Sequence, residues 1–92
     1  MVYDTKLKKI DDVDLTYMQS YIVEELIKMN GQVISADEIA KRLTLKYGIK
    51  VFNTQAKDIR IHIFRINKRV GEKLIKNRNW GGYYIDENIK IC

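Results

Sequence analysis

The sequence IRIHIFRINK, residues 59–68, carries apolar side chains at the spacing of an α-helix. The apolar residues at this spacing are Ile59, Ile63, Ile66 and Val70. At about 100° per residue they fall within about 60° of one another, which is typical of a helix with one narrow buried face. Asn53 and Thr54 are both good N-cap residues, and Gly71 is of the residue type that most often follows the last residue of a helix. The pattern therefore predicts a helix over about residues 53–70.

The opposite face of this helix is basic, but it also holds two large apolar side chains. We call it the basic face, and it consists of Thr54, Lys57, Ile61, Phe64, Arg65 and Lys68. A helix in the major groove of DNA uses Arg or Lys for guanine edges and phosphates, and an apolar side chain for the thymine methyl group. Ile61 and Phe64 fit that apolar use. The alternative is that both pack against another part of this protein.

A first helix is predicted near the N-terminus. The segment from Thr16 to Gln19 has the form of a capping box, and apolar residues then recur at helical spacing as far as Met29. The dipeptide Asn30-Gly31 stops this helix, which we place at about residues 17–29.

A strand and a second helix follow. Gln32-Val33-Ile34 is short and β-branched enough for one small strand. The segment from Ser35 to Glu38 forms a second capping box, ahead of an apolar series that ends at Tyr47. Gly48 ends the second helix.

The C-terminal part predicts a β-hairpin over residues 74–85. Residues 74–76 and 83–85 are the strands, and the polar, glycine-containing segment 77–82 is the turn. Helix, small strand, helix, basic helix and hairpin are the order of a winged helix-turn-helix. We therefore predict an α+β winged helix-turn-helix, with three helices, a small antiparallel sheet and a C-terminal β-hairpin wing. Within the hairpin, Arg78 could enter a minor groove or meet a phosphate; a freely solvated arginine is the alternative.

The length and composition predict one small folded domain. The chain has 92 residues, of which 46% are hydrophobic and 32% are charged. This composition is ordinary for a globular protein, and its hydrophobic fraction is too high for intrinsic disorder. We assign residues 15–85 to the winged-helix core, residues 1–14 to an N-terminal extension and residues 86–92 to a tail.

The composition also argues against several classes of protein. One cysteine and one histidine supply neither an internal disulfide nor a structural zinc site. Without a nucleophile–base pair or a phosphate-binding glycine loop, we expect no enzyme activity, no cofactor and no metal. The apolar runs are too short to span a bilayer and the start lacks a signal peptide, so we expect a cytoplasmic protein with no membrane contact.

The net charge of +5 is unevenly placed. Residues 1–48 hold 7 basic and 8 acidic residues, a balance of −1, whereas residues 49–92 hold 10 basic and 4 acidic residues, a balance of +6. Such asymmetry favours a polyanionic partner, because each phosphate that Lys or Arg neutralises releases a condensed counterion. An ordinary solvated surface is the alternative.

Residues 59–68, followed by Leu74-Ile75 and Gly82-Tyr83, resemble the signature of OmpR/PhoB-type response-regulator effector domains. In that family the pattern runs approximately V-D-V-H-I-x-R-L-R-K, then an apolar pair, then R-G-x-G-Y. The likeness extends upstream to Leu15-Thr16, to residues 31–35 and to Tyr47-Gly48, so that it covers about residues 15–85.

The resemblance implies that the third helix is a recognition helix. Ile61 and Arg65 then fall where that family contacts bases, and His62 and Lys68 fall near the phosphate backbone. For His62, packing on the helix surface is the alternative. The family also uses the connection between its second and third helices, here residues 48–53, to contact RNA polymerase or a neighbouring protomer; in this chain the connection could equally fill the core.

The chain departs from the family pattern in several places. Only about 14 residues precede the first helix, so the family's N-terminal sheet is expected to be truncated or absent. The wing arginine and first glycine of the family align with Asn79 and Trp80, so the minor-groove contact is lost or passes to Arg78. Arg60 replaces the usual acidic residue and Asn67 a usual basic one. No receiver domain is present in the sequence, and we expect an excised effector domain or a small stand-alone regulator.

These arguments predict a sequence-specific, double-stranded DNA-binding transcriptional regulator. The predicted DNA-binding residues are Thr54, Lys57, Ile61, His62, Phe64, Arg65, Lys68, Arg69, Asn77, Arg78 and Asn79. We expect a homodimer on DNA, with residues 1–14 and 84–92 as its candidate contacts. The alternative function is a winged-helix protein-interaction module that binds an acidic partner or RNA polymerase; RNA binding is a third.

Overall fold

A computed structural model describes residues 1–48, 55–71, 73–78, 81–86 and 88–91. Within these residues the chain forms three helices, which are α1 (Tyr17–Lys28), α2 (Ala36–Tyr47) and α3 (Ala56–Val70). The strands are β1 (Val2–Asp4), β2 (Lys9–Ile10), β3 (Val13–Asp14), β4 (Ile34–Ser35), β5 (Ile75–Arg78), β6 (Gly82–Ile85) and β7 (Lys90–Ile91). The predicted α+β class with three helices is confirmed.

The strands form two small sheets. One sheet has the order β3-β2-β1-β7, in which β7 runs parallel to β1 and the other neighbours are antiparallel. The other sheet is antiparallel and has the order β4-β6-β5. The C-terminal hairpin is therefore completed by the short strand that lies between α1 and α2.

The start of α1 is the predicted capping box. The Thr16 hydroxyl accepts a hydrogen bond from the Gln19 backbone N–H at 3.1 Å, and the Gln19 side-chain oxygen accepts one from the Thr16 N–H at 3.1 Å. Two backbone donors that have no partner within the helix are thereby satisfied. The helix ends at Lys28, one residue before the predicted end.

The start of α2 is only half of a capping box. The Ser35 hydroxyl accepts from the Glu38 N–H at 3.1 Å, but the Glu38 carboxylate lies 3.3 Å from Nε of Arg42, one turn further along the helix. The preceding strand covers residues 34–35 rather than the predicted 32–34, because its pairing with β6 begins only at Ile34.

The third helix begins later than predicted. Its N-cap is Gln55, whose backbone N–H donates to the Asp58 carboxylate at 3.2 Å, and the first helical residue is Ala56. The acidic side chain of Asp58 in the first turn also interacts favourably with the positive end of the helix dipole. The predicted caps, Asn53 and Thr54, lie outside the described residues. The predicted stop is confirmed, since Gly71 has φ +82°, a left-handed conformation that glycine adopts without steric cost.

The predicted apolar stripe of α3 lies in the core. Ile59 and Ile66 are fully buried and Ile63 is 4% exposed. They pack in one cluster with apolar residues of α1, α2 and both sheets. Burying one isoleucine side chain contributes about 1.5–3 kcal/mol, so this stripe fixes which face of α3 points away from the protein.

The hairpin has longer strands than predicted. The pairs run from Ile75 with Ile85 to Arg78 with Gly82, so residues expected in the turn belong to strands. Gly82 is buried, and a Cβ atom there would overlap the Val33 side chain. The close approach of Val33, the residue before β4, to β6 therefore favours glycine at this position.

Residues 1–14 contribute β1, β2 and β3 to the four-stranded sheet, as strands of two or three residues. Tyr3 and Ile10 from this segment are fully buried in the core. The Tyr3 hydroxyl donates a hydrogen bond to the Glu24 carboxylate of α1. The same carboxylate forms an ion pair with the Lys8 ammonium at 2.9 Å. Near the C-terminus, Ile91 pairs with Tyr3. Both chain ends thus meet at one sheet.

Candidate nucleic-acid interface

The outward face of α3 is exposed, including its two large apolar side chains. Ile61 is 48% exposed and Phe64 is 66% exposed. The alternative that both pack within the protein is therefore wrong. Leaving two large apolar groups in water forgoes the stabilisation that burial would give, so the protein presents them without a benefit to its own core.

Cations surround these apolar side chains. Lys57, Arg60, Arg65 and Lys68 are exposed, and within the described part of the chain no carboxylate pairs with any of them. The Lys68 ammonium lies 6.0 Å from the centre of the Phe64 ring, at the outer limit of a cation–π contact. The charges of this face are thus available to a polyanion.

His62 lies at the border between the basic face and the core, and it is half-buried. Burial lowers the pKa of its imidazole below the usual value of 6.5, and the positive charge of Arg65 lowers it further, while Asp58 acts in the opposite direction. The imidazole is therefore mainly neutral at pH 7. In this form its one N–H can still donate a hydrogen bond.

Arg69 points away from the basic face and towards the N-terminal sheet. Its Nε and one terminal nitrogen both donate to the Asp14 carbonyl oxygen, at 3.1 Å and 2.7 Å. The side chain thus joins the last turn of α3 to the end of β3. Among the predicted DNA-binding residues of α3, Arg69 makes side-chain hydrogen bonds to another element. Lys57 and Arg65 make none within the described residues.

Asn67 joins α3 to the hairpin. Its side-chain Nδ2 donates to the Ile75 carbonyl at 2.9 Å, and its Oδ1 accepts from the Ile75 N–H at 2.9 Å. Since β5 is an edge strand of its sheet among the described residues, these backbone groups of Ile75 have no described strand on that side to pair with. The amide of Asn67 takes the place of that missing strand.

The exposed face of the hairpin is basic and aromatic. Asn77 and Arg78 are exposed residues of β5, and the Arg78 guanidinium lies 5.5 Å from the centre of the Tyr84 ring on β6. The Lys76 ammonium lies 3.8 Å from the Asp86 carboxylate. The contact with Tyr84 limits the conformations of Arg78, which lies on a strand rather than in the predicted turn.

The structure groups the predicted site residues in two places. Lys57, Ile61, Phe64, Arg65 and Lys68 share the outward face of α3, while Asn77 and Arg78 lie on the hairpin. Thr54 and Asn79 lie outside the described residues, and so do Trp80 and residues 49–53 of the segment expected to contact RNA polymerase. Sequence reasoning missed Asn67 and Tyr84, because neither residue type in isolation signals a contact with another element.

Other kinds of site receive no support from the described residues. No group of three His, Cys, Asp or Glu side chains there is placed to hold a metal ion. One of the larger surface depressions, of about 420 Å³, lies beside Met1, Leu74 and Ile89, away from the basic face. No helix among the described residues is long and apolar enough to cross a membrane.

Comparison with known proteins assigns no relative to this chain. No family model, no curated protein and no solved structure matches it. The resemblance to OmpR/PhoB-type effector domains therefore stays a prediction from the quoted residues.

Proposed function

We propose that the chain is a winged helix-turn-helix of the OmpR/PhoB type that binds double-stranded DNA and regulates transcription. One observation carries this proposal: α3 exposes Ile61 and Phe64 in the middle of a face whose cations have no carboxylate partner in the described residues. In the major groove of DNA, cationic side chains contact guanine edges and phosphates, and apolar side chains contact thymine methyl groups.

The dimensions of α3 fit this use. From Lys57 to Lys68 the helix advances about 16 Å, at about 1.5 Å per residue, which corresponds to about five base pairs at about 3.4 Å each. Arg65 is the candidate for a bidentate contact to a guanine edge, and Ile61 for a thymine methyl group. Lys57 and Lys68, towards the two ends of the exposed face, would contact phosphates on either side of the groove.

The remaining elements support the same proposal. The order of the elements, in which α2 and α3 are followed by a hairpin, agrees with what is expected of a winged helix-turn-helix. The hairpin would act as the wing and bring Arg78 to a phosphate or a minor groove. In the C-terminal part of the chain, residues 53–85 hold 8 basic and 2 acidic residues, so nearly all of its charge favours a polyanion.

A protein-interaction module is the second candidate, and the exposure of Phe64 favours it. Aromatic anchors at the centre of a patch dominate many protein interfaces, and an acidic partner would satisfy the surrounding cations. The two proposals differ in what Phe64→Ala does. It would abolish recognition of a protein partner that depends on an aromatic anchor, whereas it would leave the phosphate contacts to DNA in place.

The test is a titration of a random 20-base-pair duplex pool with the full chain, followed by fluorescence anisotropy at several salt concentrations. We expect log affinity to fall against log salt with a slope of about −3 to −6, at about −0.9 for each phosphate neutralised. The affinity and salt slope of Arg65→Ala are compared with those of Lys41→Ala, which removes an exposed cation from α2. A single-stranded RNA of the same length tests the third candidate. If the chain ignores duplex DNA at low salt, the proposal is wrong.

A further inference from the structure

We propose that Asn67 is a positioning residue that holds the hairpin in a fixed orientation to α3, so that both elements reach one DNA duplex. This inference rests on the proposed function, because it concerns how the two surfaces act together. Asn67 occupies a position where the resembling family has a basic residue, so its role here belongs to this chain.

The bond geometry makes Asn67 suited to set an orientation. Its amide makes two hydrogen bonds, one as donor and one as acceptor, to the N–H and C=O of the single residue Ile75. Hydrogen bonds weaken steeply when they bend, and two of them to one residue restrain rotation as well as distance. The apolar contacts of buried Leu74 and Ile75 hold the same junction together, but apolar contact has no directional preference.

No second bond of this kind duplicates the restraint. Within the described residues, no other side-chain hydrogen bond joins α3 to the hairpin strands. Arg69, two residues further along the helix, bonds instead to the Asp14 carbonyl in the N-terminal sheet. The last turn of α3 is thus tied to one sheet by Asn67 and to the other by Arg69.

A small rotation at this junction has a large effect at the end of the strand. Arg78 lies three residues beyond Ile75 on β5, which is about 10 Å at about 3.4 Å per residue. A rotation of about 10° at Ile75 then moves Arg78 by about 2 Å, which is more than a hydrogen bond to a phosphate tolerates. Loss of the Asn67 bonds should therefore remove the contribution of Arg78 without touching the basic face.

The first test is a double-mutant comparison on the random 20-base-pair duplex pool. Asn67→Ala and Arg78→Ala should each make the salt slope less steep by about 0.9, the value for one phosphate contact. The double variant should lose no more than either single variant, because the second change removes a contact that the first has already lost. Asn67→Ala combined with Arg65→Ala should instead be additive. Asn88→Ala, which removes an exposed amide outside α3 and the hairpin, should leave the slope unchanged.

The second test needs no DNA. Residual dipolar couplings of backbone amides give the orientation and order of residues 75–78 and 82–85 relative to α3 in the free protein. Asn67→Ala should reduce the order of the hairpin, while the order of α3 stays unchanged. If that variant does not fold, Asn67→Asp takes its place. Its carboxylate can accept a hydrogen bond from the Ile75 N–H but repels the Ile75 carbonyl oxygen.

The outcomes separate the two proposals. If the wild-type chain ignores duplex DNA, the proposed function fails, and the hairpin couplings alone decide the positioning role. If the hairpin keeps its orientation and order without the Asn67 amide, the positioning role is wrong, whatever the protein binds. Additive losses for Asn67→Ala and Arg78→Ala would also overturn it, since they would show that Arg78 contributes independently of Asn67.

Discussion

The guanidinium of Arg69 donates two hydrogen bonds to the Asp14 carbonyl, at 3.1 Å and 2.7 Å, across 55 residues of sequence. The bonds connect the last turn of α3 directly to the end of β3 in the N-terminal sheet. Arg69 was predicted as a DNA contact. In the structure it instead makes a bond that joins two elements of the protein.

Arg69→Ala should therefore lower the free energy of unfolding by about 0.5–1.5 kcal/mol, the usual net worth of a hydrogen bond in folding. The matched control is Arg60→Ala, an exposed arginine of the same helix without a partner among the described residues. That control should stay within about 0.5 kcal/mol of the wild type. Urea unfolding followed by circular dichroism measures both; equal stabilities for the two variants would contradict a structural role of Arg69.

Arg65 and Arg78 should affect DNA binding in different ways. Arg65→Ala should weaken binding to a preferred duplex by about 1–3 kcal/mol and relax the preference at one base pair, because a bidentate guanine contact is lost. Arg78→Ala should weaken binding to all sequences more evenly, since the proposal places Arg78, on the hairpin, against the DNA backbone or in a minor groove. Site selection from a random pool measures the preference of each variant. If Arg65→Ala kept both affinity and preference, α3 would not read the major groove.

Two isoleucines of α3 should separate stability from binding. Ile63→Ala should lower the free energy of unfolding by about 2–5 kcal/mol, because it leaves a cavity in the core. Ile61→Ala, two residues away and 48% exposed, should change stability by about 1 kcal/mol or less and yet weaken DNA binding. Urea unfolding and duplex titration of the same two variants give both quantities. A large stability loss for Ile61→Ala would show that it packs within the protein after all.

Sequence patterns predicted the elements whose causes are local. The capping box from Thr16 to Gln19, the stop at Gly71 and the buried stripe of α3 depend on residues within one or two turns, and all three are confirmed. The start of α3 was predicted too early, because Asn53 and Thr54 are better caps in isolation than Gln55. Propensity ranks cap residues but does not include the Asp58 carboxylate that bonds the Gln55 N–H.

The contacts that sequence reasoning missed are all between different secondary-structure elements. Asn67 with Ile75 and Arg69 with Asp14 depend on where separate elements meet in space. Such a meeting leaves no periodic signal in the sequence. The same holds for β7, whose two residues pair with β1 near the other end of the chain. The angular position of Phe64 on α3 placed it opposite the buried stripe, but its exposure was not predicted, because packing against another part of the protein remained an alternative.

The last prediction concerns alkaline pH. Tyr3 is fully buried, and burial, followed by its hydrogen bond to the Glu24 carboxylate, raises the pKa of its phenol well above the usual value of 10.0. The folded state therefore keeps the phenolic proton at a pH where the unfolded chain releases it. A state that binds more protons is destabilised as pH rises, so the contribution of Tyr3 to the free energy of unfolding is complete below about pH 10 and falls above it.

Tyr3→Phe should lower the free energy of unfolding at pH 8 by about 1–2 kcal/mol, since a buried hydrogen bond to a charged group is lost. Above about pH 10 the difference from the wild type should shrink, because the variant has no phenol at this position to ionise on unfolding. Lys8 and Tyr47 also have raised pKa values, so both proteins should still lose stability in alkali, the wild type more steeply. Tyr17→Phe, at a 71% exposed tyrosine, is the control. Urea unfolding from pH 8 to 11 measures all three proteins, and parallel curves for the wild type and Tyr3→Phe would show that Tyr3 ionises equally in both states.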